Sequence, residues 1–155
     1  MKLASLAVVV LVGACASGLR TIPGTKVEDT DDNRRIIQTV EQYRQAMERR
    51  DAGALLAMAA KNYWENGGTV TGADDYGWDG LREVLATRFQ RAETIRYNMR
   101  YMGVRREGKR AYVEVLIEAN YTISTASGPQ RQELRDQNQL VLEWDGRRWL
   151  FVSGM

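Results

Sequence analysis

Few residues in this chain can carry chemistry. It has no histidine, which excludes a His–carboxylate dyad and a His-based metal site and leaves carboxylates and tyrosines to move protons. One grouping is the run Tyr63-Trp64-Glu65-Asn66-Gly67-Gly68-Thr69 with Asp74-Asp75-Tyr76-Gly77-Trp78-Asp79. It collects four aromatics and four carboxylates in one connection. Trp and Tyr offer stacking surfaces with a polar edge, and glycines allow close backbone approach, so Tyr63, Trp64, Tyr76 and Trp78 are candidate ligand contacts at a pocket mouth, with Glu65 a candidate base. The plainer alternative makes Asp79 a helix cap, Tyr63 and Trp64 core residues, and Gly67-Gly68 a turn. Asp74, Asp75 and Asp79 do not follow the spacing of a calcium loop, and no metal is expected.

The second grouping lies near the C-terminal end. In the period-two stretch after Glu133, Asp136, Asn138, Leu140, Leu142 and Trp144 share a face. A polar patch of Asp136 and Asn138 running into Leu140, Leu142 and Trp144 is what a pocket with one polar end requires. A desolvated carboxylate there gains base strength. The competing reading pairs Asp136 with an arginine on a solvated sheet face.

Regular elements must position these groups. Ile36, Val40, Tyr43 and Met47 recur at helical spacing after the cap types Asp31, Asp32 and Asn33. Asp51 caps a second, short helix carrying Leu55, Leu56, Met58 and Ala59, and a third helix starts near Asp79 with Leu81, Val84, Leu85 and Phe89. From Ile95 the period becomes two, and residues 96–104, 110–122, 133–145 and 147–154 read as strands. Glu107-Gly108 and Asp145-Gly146 mark hairpins, and Ser127-Gly128-Pro129 a longer turn. In the second strand Ala111, Val113, Val115, Ile117, Ala119 and Tyr121 share the apolar face. Helices followed by an antiparallel meander make an α+β domain.

The beginning of the chain reads as an address. Lys2, the apolar run from Leu3 to Val12, and Gly13-Ala14 before the solitary Cys15 resemble a bacterial lipoprotein signal. The run is too short to cross a membrane, which leaves simple secretion or an uncleaved anchor as weaker alternatives. The resemblance implies a signal peptide at 1–14, a lipidated Cys15, and a membrane-attached protein of the cell envelope, with Ala16 resembling outer-membrane sorting toward the periplasm. Residues 15–33 read as a flexible tether and 34–155 as the folded domain. The full chain carries a formal charge of +2, and removing 1–14 takes away only Lys2. So balanced a chain has no general field for nucleic acid. Its arginine pairs at 34–35, 49–50, 105–106 and 147–148 are interleaved with acids.

The first helix, from Thr39 to Asp51, Leu55-Leu56-Ala57-Met58, Tyr63-Trp64-Glu65-Asn66, Gly77-Trp78-Asp79-Gly80-Leu81-Arg82-Glu83, and the ending Leu142-Glu143-Trp144-Asp145-Gly146-Arg147-Arg148-Trp149-Leu150-Phe151 together resemble the nuclear transport factor 2-like superfamily. That superfamily includes ketosteroid isomerase, scytalone dehydratase and SnoaL-like cyclases. The resemblance spans roughly residues 35–155. It implies three N-terminal helices packed on a strongly curved antiparallel sheet that forms a cone-like cavity, in some members a site for moving a proton beside a carbonyl. Tyr43 matches the tyrosine that polarises the carbonyl in the isomerase. The position of the base aspartate falls on Asn66 or Gly67, neither of which accepts a proton, and Glu65 is one residue off.

The expected function is therefore a cofactor-free, non-catalytic envelope domain that binds a small, partly apolar ligand or an envelope protein. The alternative is an isomerase or dehydratase using Asp136 or Glu65 as base near Tyr43. The candidate ligand contacts are Tyr43, Tyr63, Trp64, Tyr76, Trp78, Asp136, Asn138 and Trp144. A third expectation is homodimerisation through the sheet.

Overall fold

A computed structural model describes residues 20–155; the apolar run and Cys15 lie outside the described residues. The first helix, α1, runs Asp31–Arg49 because its apolar residues repeat every three to four positions and both ends are capped. Its N-cap is Thr30, whose Oγ accepts from the Asn33 N–H at 3.1 Å, while Asp31 and Asp32 occupy the first turn. Ile36, Val40, Tyr43 and Met47 are at most 1 % exposed, each burial contributing about 1.5–3 kcal/mol. A second helix, α2 (Ala52–Met58), starts at the expected cap, where Asp51 accepts from the Ala54 N–H at 2.9 Å.

A two-stranded ladder follows that the sequence pattern does not announce. Strand β1 (Trp64–Glu65) pairs antiparallel with β2 (Tyr76–Gly77). The third helix, α3 (Trp78–Arg91), begins one residue ahead of Asp79. Asp79 is not the cap: Gly77 occupies that position without a side-chain bond, and Asp79 pairs instead with Arg82 at 2.9 Å.

The remainder is a meander in which sequence neighbours are sheet neighbours, in the order β3-β4-β5-β6. Strands β3 (Ala92–Glu107), β4 (Arg110–Thr125) and β5 (Gly128–Trp144) are long, and β6 (Trp149–Ser153) is short. Two register shifts interrupt β3 against β4, at Ala92/Thr94 and Tyr101/Gly103, and such bulges increase bend and twist. The helices cover one face of this sheet, giving the expected α+β cone. Ala111, Val113, Val115, Ile117 and Ala119 are buried beneath them, with Leu140, Leu142 and Phe151.

Strand β3 is an edge, and α1 closes it. The Tyr97 N–H donates to Glu48 at 3.0 Å, and Arg44 donates to the Tyr97 carbonyl at 3.0 Å. Farther along, Arg50 donates to the Ala92 carbonyl and the Tyr101 hydroxyl to Glu41. Arg44 also pairs with Glu41 at 2.7 Å and Glu48 at 2.8 Å.

The stretch 15–33 does not behave throughout as a tether. From Arg20 it is an ordered loop: Thr21 bridges to Glu28, the Lys26 N–H donates to the Tyr101 carbonyl, and Val27 is 1 % exposed in the core. One apolar side chain among charged neighbours has no period to betray it, yet it fits the end of the β3 edge. Helix α1 likewise starts three residues before position 34. No helix among the described residues is long and apolar enough to cross a membrane.

Burial works against the Glu41 and Glu48 carboxylates. Hydrogen bonds from Arg44, Tyr101 and Gln45 to Glu41, and from the Tyr97 N–H and Arg44 to Glu48, nevertheless hold both below the ordinary glutamate value of 4.5. A carboxylate depressed in the folded state contributes stability above its unfolded pKa and loses it as pH falls through the folded one. Urea midpoints should therefore be flat above about pH 5 and decline below about 4.5. Glu48→Gln should lower the plateau and flatten the decline.

Candidate functional site

The concave face of the sheet changes character across its width. In register, Ile95 on β3 lies beside Tyr121 on β4, which faces Gln132 on β5. The next rows are Tyr97, Ala119 and Leu134, then Met99, Ile117 and Asp136. Each row runs from buried on β3 to exposed on β5. The helices lie over the β3–β4 side, and under their margin a cavity of about 360 Å³ opens toward β5.

Five tyrosine and charged positions define its chemistry. Helix α1 sends Tyr43 to the floor, where its ring meets Tyr97 edge-on at 6.2 Å and leans on Phe151 at 5.2 Å. Burial, reinforced by the neighbouring Tyr97 phenol, pushes the Tyr43 hydroxyl well above its usual pKa. Burial raises Tyr97 as well, and pushes Tyr121 up to about 12. All three phenols stay protonated at neutral pH and offer hydrogen-bond donors in an apolar wall. Arg88, in the last turn of α3, lines the same cavity, and its charge opposes the rise at each of these phenols. Opposite, β5 supplies Asp136. Among the described residues neither Arg88 nor Asp136 enters an ion pair. One cation, one anion and three neutral phenols thus face a common space.

Of the sequence candidates, Tyr43, Asp136 and Asn138 come together here. Asn138 is partly engaged, its amide donating to the Gly154 carbonyl at 3.0 Å. The aromatic connection lies elsewhere. Tyr63 is buried and donates to Glu65 Oε2 at 2.6 Å, and that same oxygen accepts the Gly154 N–H at 2.6 Å. Both residues act on the cavity only at one remove, because the Met155 N–H donates to the Tyr63 hydroxyl and Met155 lines the wall. Glu65 is spent on this clamp and lies outside the cavity lining. Tyr76 stacks on Tyr63, and Trp78 is held by Lys61 over its ring at 3.3 Å with its indole N–H directed at the Leu56 carbonyl. Trp64 is 57 % exposed, and Trp144 leans on Trp149 beside a separate, smaller cleft of about 160 Å³. Asn66 and Gly67 fold into the exposed loop after β1, where Asn66 accepts from the Gly68 N–H and the Gly67 N–H donates to Asp75. No group of residues among those described is arranged to hold a metal ion.

The sequence reading missed Arg88, Tyr97, Gln132 and Leu134. Signals existed for each. Arg88 continues the Leu81–Leu85 stripe at i+3, Tyr97 shares parity with Ile95 and Met99, and Gln132 and Leu134 share parity with Asp136.

No family model and no curated protein matches the chain. Solved structures do. A conserved protein from Planctomyces limnophilus superposes over 79% of this chain and 92% of its own, at 14% identity and a TM-score of 0.69. A Streptomyces avermitilis protein, provisionally named a dehydratase of the nuclear transport factor 2-like family, does so over 79% and 93%, at 13% identity and a TM-score of 0.67. The chain has the nuclear transport factor 2-like fold. A Novosphingobium aromaticivorans protein provisionally named a scytalone dehydratase is similar at a TM-score of 0.68, with 12% identity over 79% of this chain and 80% of its own. Within the nuclear transport factor 2-like fold, Tyr43, resting on Phe151, lines the cavity here and β5 supplies its exposed wall.

The wall depends on Gly154. Its φ is +90°, and a Cβ there would lie 2.5 Å from the Gln139 carbonyl oxygen and 3.0 Å from Leu140 Cα. Backbone cannot yield as a side-chain end can, so Gly154→Ala should cost about 2 kcal/mol or more. Chemical denaturation should show it as a lower midpoint, whereas Gly108→Ala, with a positive φ but open space, should cost less.

Proposed function

We propose that the domain is the ligand-binding part of an envelope lipoprotein and holds a small, partly apolar molecule without transforming it. The supporting observation is the cavity of about 360 Å³ whose apolar wall carries the three phenols and Arg88. Its size suits a ligand rather than a macromolecular segment. Arg88, in no ion pair among the described residues, favours a ligand with a carboxylate or other electron-rich group, whose body packs on Tyr43, Tyr97 and Tyr121. In this reading Cys15 carries the lipid, the domain is held at the outer membrane facing the periplasm, and the sequence from Met1 to Cys15 is the support.

A catalytic reading has one specific observation in its favour: Asp136 lines the same cavity as Tyr43. It would make Asp136 the base and Tyr43 the donor to a carbonyl in isomerisation or dehydration. Against it stands the openness of the β5 wall, where Asp136 is exposed to water.

Native mass spectrometry of the full chain carrying Cys15→Ser, purified gently from the periplasm, tests the binding reading. Wild-type protein should carry a reproducible added mass, and Arg88→Ala should retain it about tenfold less well, the loss of one charge-assisted contact. Asp136→Asn should leave the bound molecule chemically unchanged. Recovery of one compound from wild type and a different, related compound from Asp136→Asn would establish turnover instead.

A further inference from the structure

We propose that the cleft between the two hairpin ends of the sheet is a second binding site, shaped for one sugar-sized ring that carries a phosphate or carboxylate. It lies at the opposite end of the strands from the larger cavity and is independent of what that cavity holds.

Three elements meet at this cleft. The β3–β4 hairpin brings Arg106, Gly108 and Lys109, the β5–β6 hairpin brings Trp144 and Trp149, and the start of α1 brings Asp32 and Arg35. They are tied to one another. The Trp144 N–H donates to the Lys109 carbonyl at 2.8 Å, fastening one hairpin to the other. Asp32 pairs with Arg106, fastening the helix to the first hairpin. The cleft shares no lining residue with the larger cavity. On β5, Asn138 lines the cavity and Trp144 the cleft, about 20 Å apart along the strand.

Charge defines one half of the occupant. Three cations surround the cleft against a single carboxylate. That carboxylate, Asp32, is already engaged by Arg106, whose guanidinium is also held 5.9 Å from the centre of the Trp149 ring. Among the described residues neither Arg35 nor Lys109 enters an ion pair. Like charges gathered in this way repel, and an anion between them relieves the repulsion. Phosphate and carboxylate suit guanidinium and ammonium donors.

The tryptophans define the other half. Trp144 and Trp149 are a register pair across the hairpin, their ring centres 5.6 Å apart and their planes at 60°. Trp149 is buried and Trp144 half-buried, so the indoles are walls of the cleft and not projections from the surface. Among the described residues Trp78 alone donates its indole N–H within the chain, and no buried side-chain nitrogen or oxygen lacks a partner. The N–H groups of Trp144 and Trp149 therefore stay accessible as donors. The free polar side-chain groups around the cleft are thus all donors, which selects an acceptor-rich ligand, and the indoles select a ring. A sugar meets both demands, packing its C–H face on an indole and accepting through its hydroxyls. The volume of about 160 Å³ holds one such unit.

Tryptophan fluorescence of the full chain carrying Cys15→Ser tests the site, because no tryptophan lines the larger cavity. The probes are glucuronate and glucose-6-phosphate, with glucose, acetate and inorganic phosphate as their separate halves. At least one anionic sugar should shift the emission with a Kd of about 1 mM or below, and its separate halves should bind at least about tenfold more weakly. Arg35→Ala and Lys109→Ala should each weaken that binding about tenfold. Circular dichroism of both variants should match the parent protein, since both positions are exposed. An emission spectrum unmoved by either anionic sugar at about 10 mM overturns the proposal. So does acetate or inorganic phosphate binding as tightly as the sugar that carries that group, or binding that survives both substitutions unchanged.

Discussion

The attachment of α1 to the outer edge of β3 governs the rest of the molecule. Glu48 and Arg44 reach opposite polar groups of one residue, Tyr97, so the helix cannot slide along the strand or roll upon it without breaking both bonds. Tyr43 sits next to Arg44 in sequence and about 100° around the helix from it. Fixing Arg44 on the strand edge therefore aims Tyr43 over the concave face, where it meets the side chain of the same Tyr97 whose backbone holds the helix. One strand residue thus sets both the placement of the helix and the floor of the cavity. Bonds to charged groups contribute more than neutral ones, and here they also satisfy an edge that would otherwise be open to another chain.

From that edge outward the sheet becomes progressively less supported. Under α1 the rows are apolar and buried. By β5 they have lost their helical cover, and β6 rescues only the last residues. Polarity and exposure on β5 follow from the same geometry that makes the cavity: a helix layer narrower than the sheet leaves a gap, and the gap is lined by whatever the uncovered strand carries. The Tyr63–Glu65–Gly154 clamp acts at the base of this gap. It ties residues just past β6 to the small β1–β2 ladder, so the aromatic connection braces the cavity wall from behind.

Much of this was legible in the residues. Period 3.6 located α1 through Ile36, Val40, Tyr43 and Met47, Asp51 announced α2, and the alternation from Ala111 to Tyr121 identified the buried face of β4 residue by residue. The parity that linked Asp136 and Asn138 to Leu140 put them on the cavity side correctly. What escaped depended on contacts distant in sequence. Aromatic richness drew attention to Tyr63, Trp64, Tyr76 and Trp78, but composition does not say which way a connection folds, and this one closes on itself through Lys61, Glu65 and Gly154. Arg88 continues the Leu81–Leu85 stripe, but only the tertiary arrangement sets it before the three phenols. Val27 escaped because a single buried side chain has no period.

Because β5 projects beyond the packed core, the cavity wall it forms is decoupled from what keeps the domain folded. Changes at Gln132, Leu134 or Asp136 alter the space a ligand meets while leaving Leu140, Leu142 and the floor tyrosines untouched. A lineage built on this scaffold can therefore explore new ligands along one strand with little risk to its own integrity, so that selectivity and durability evolve under separate constraints.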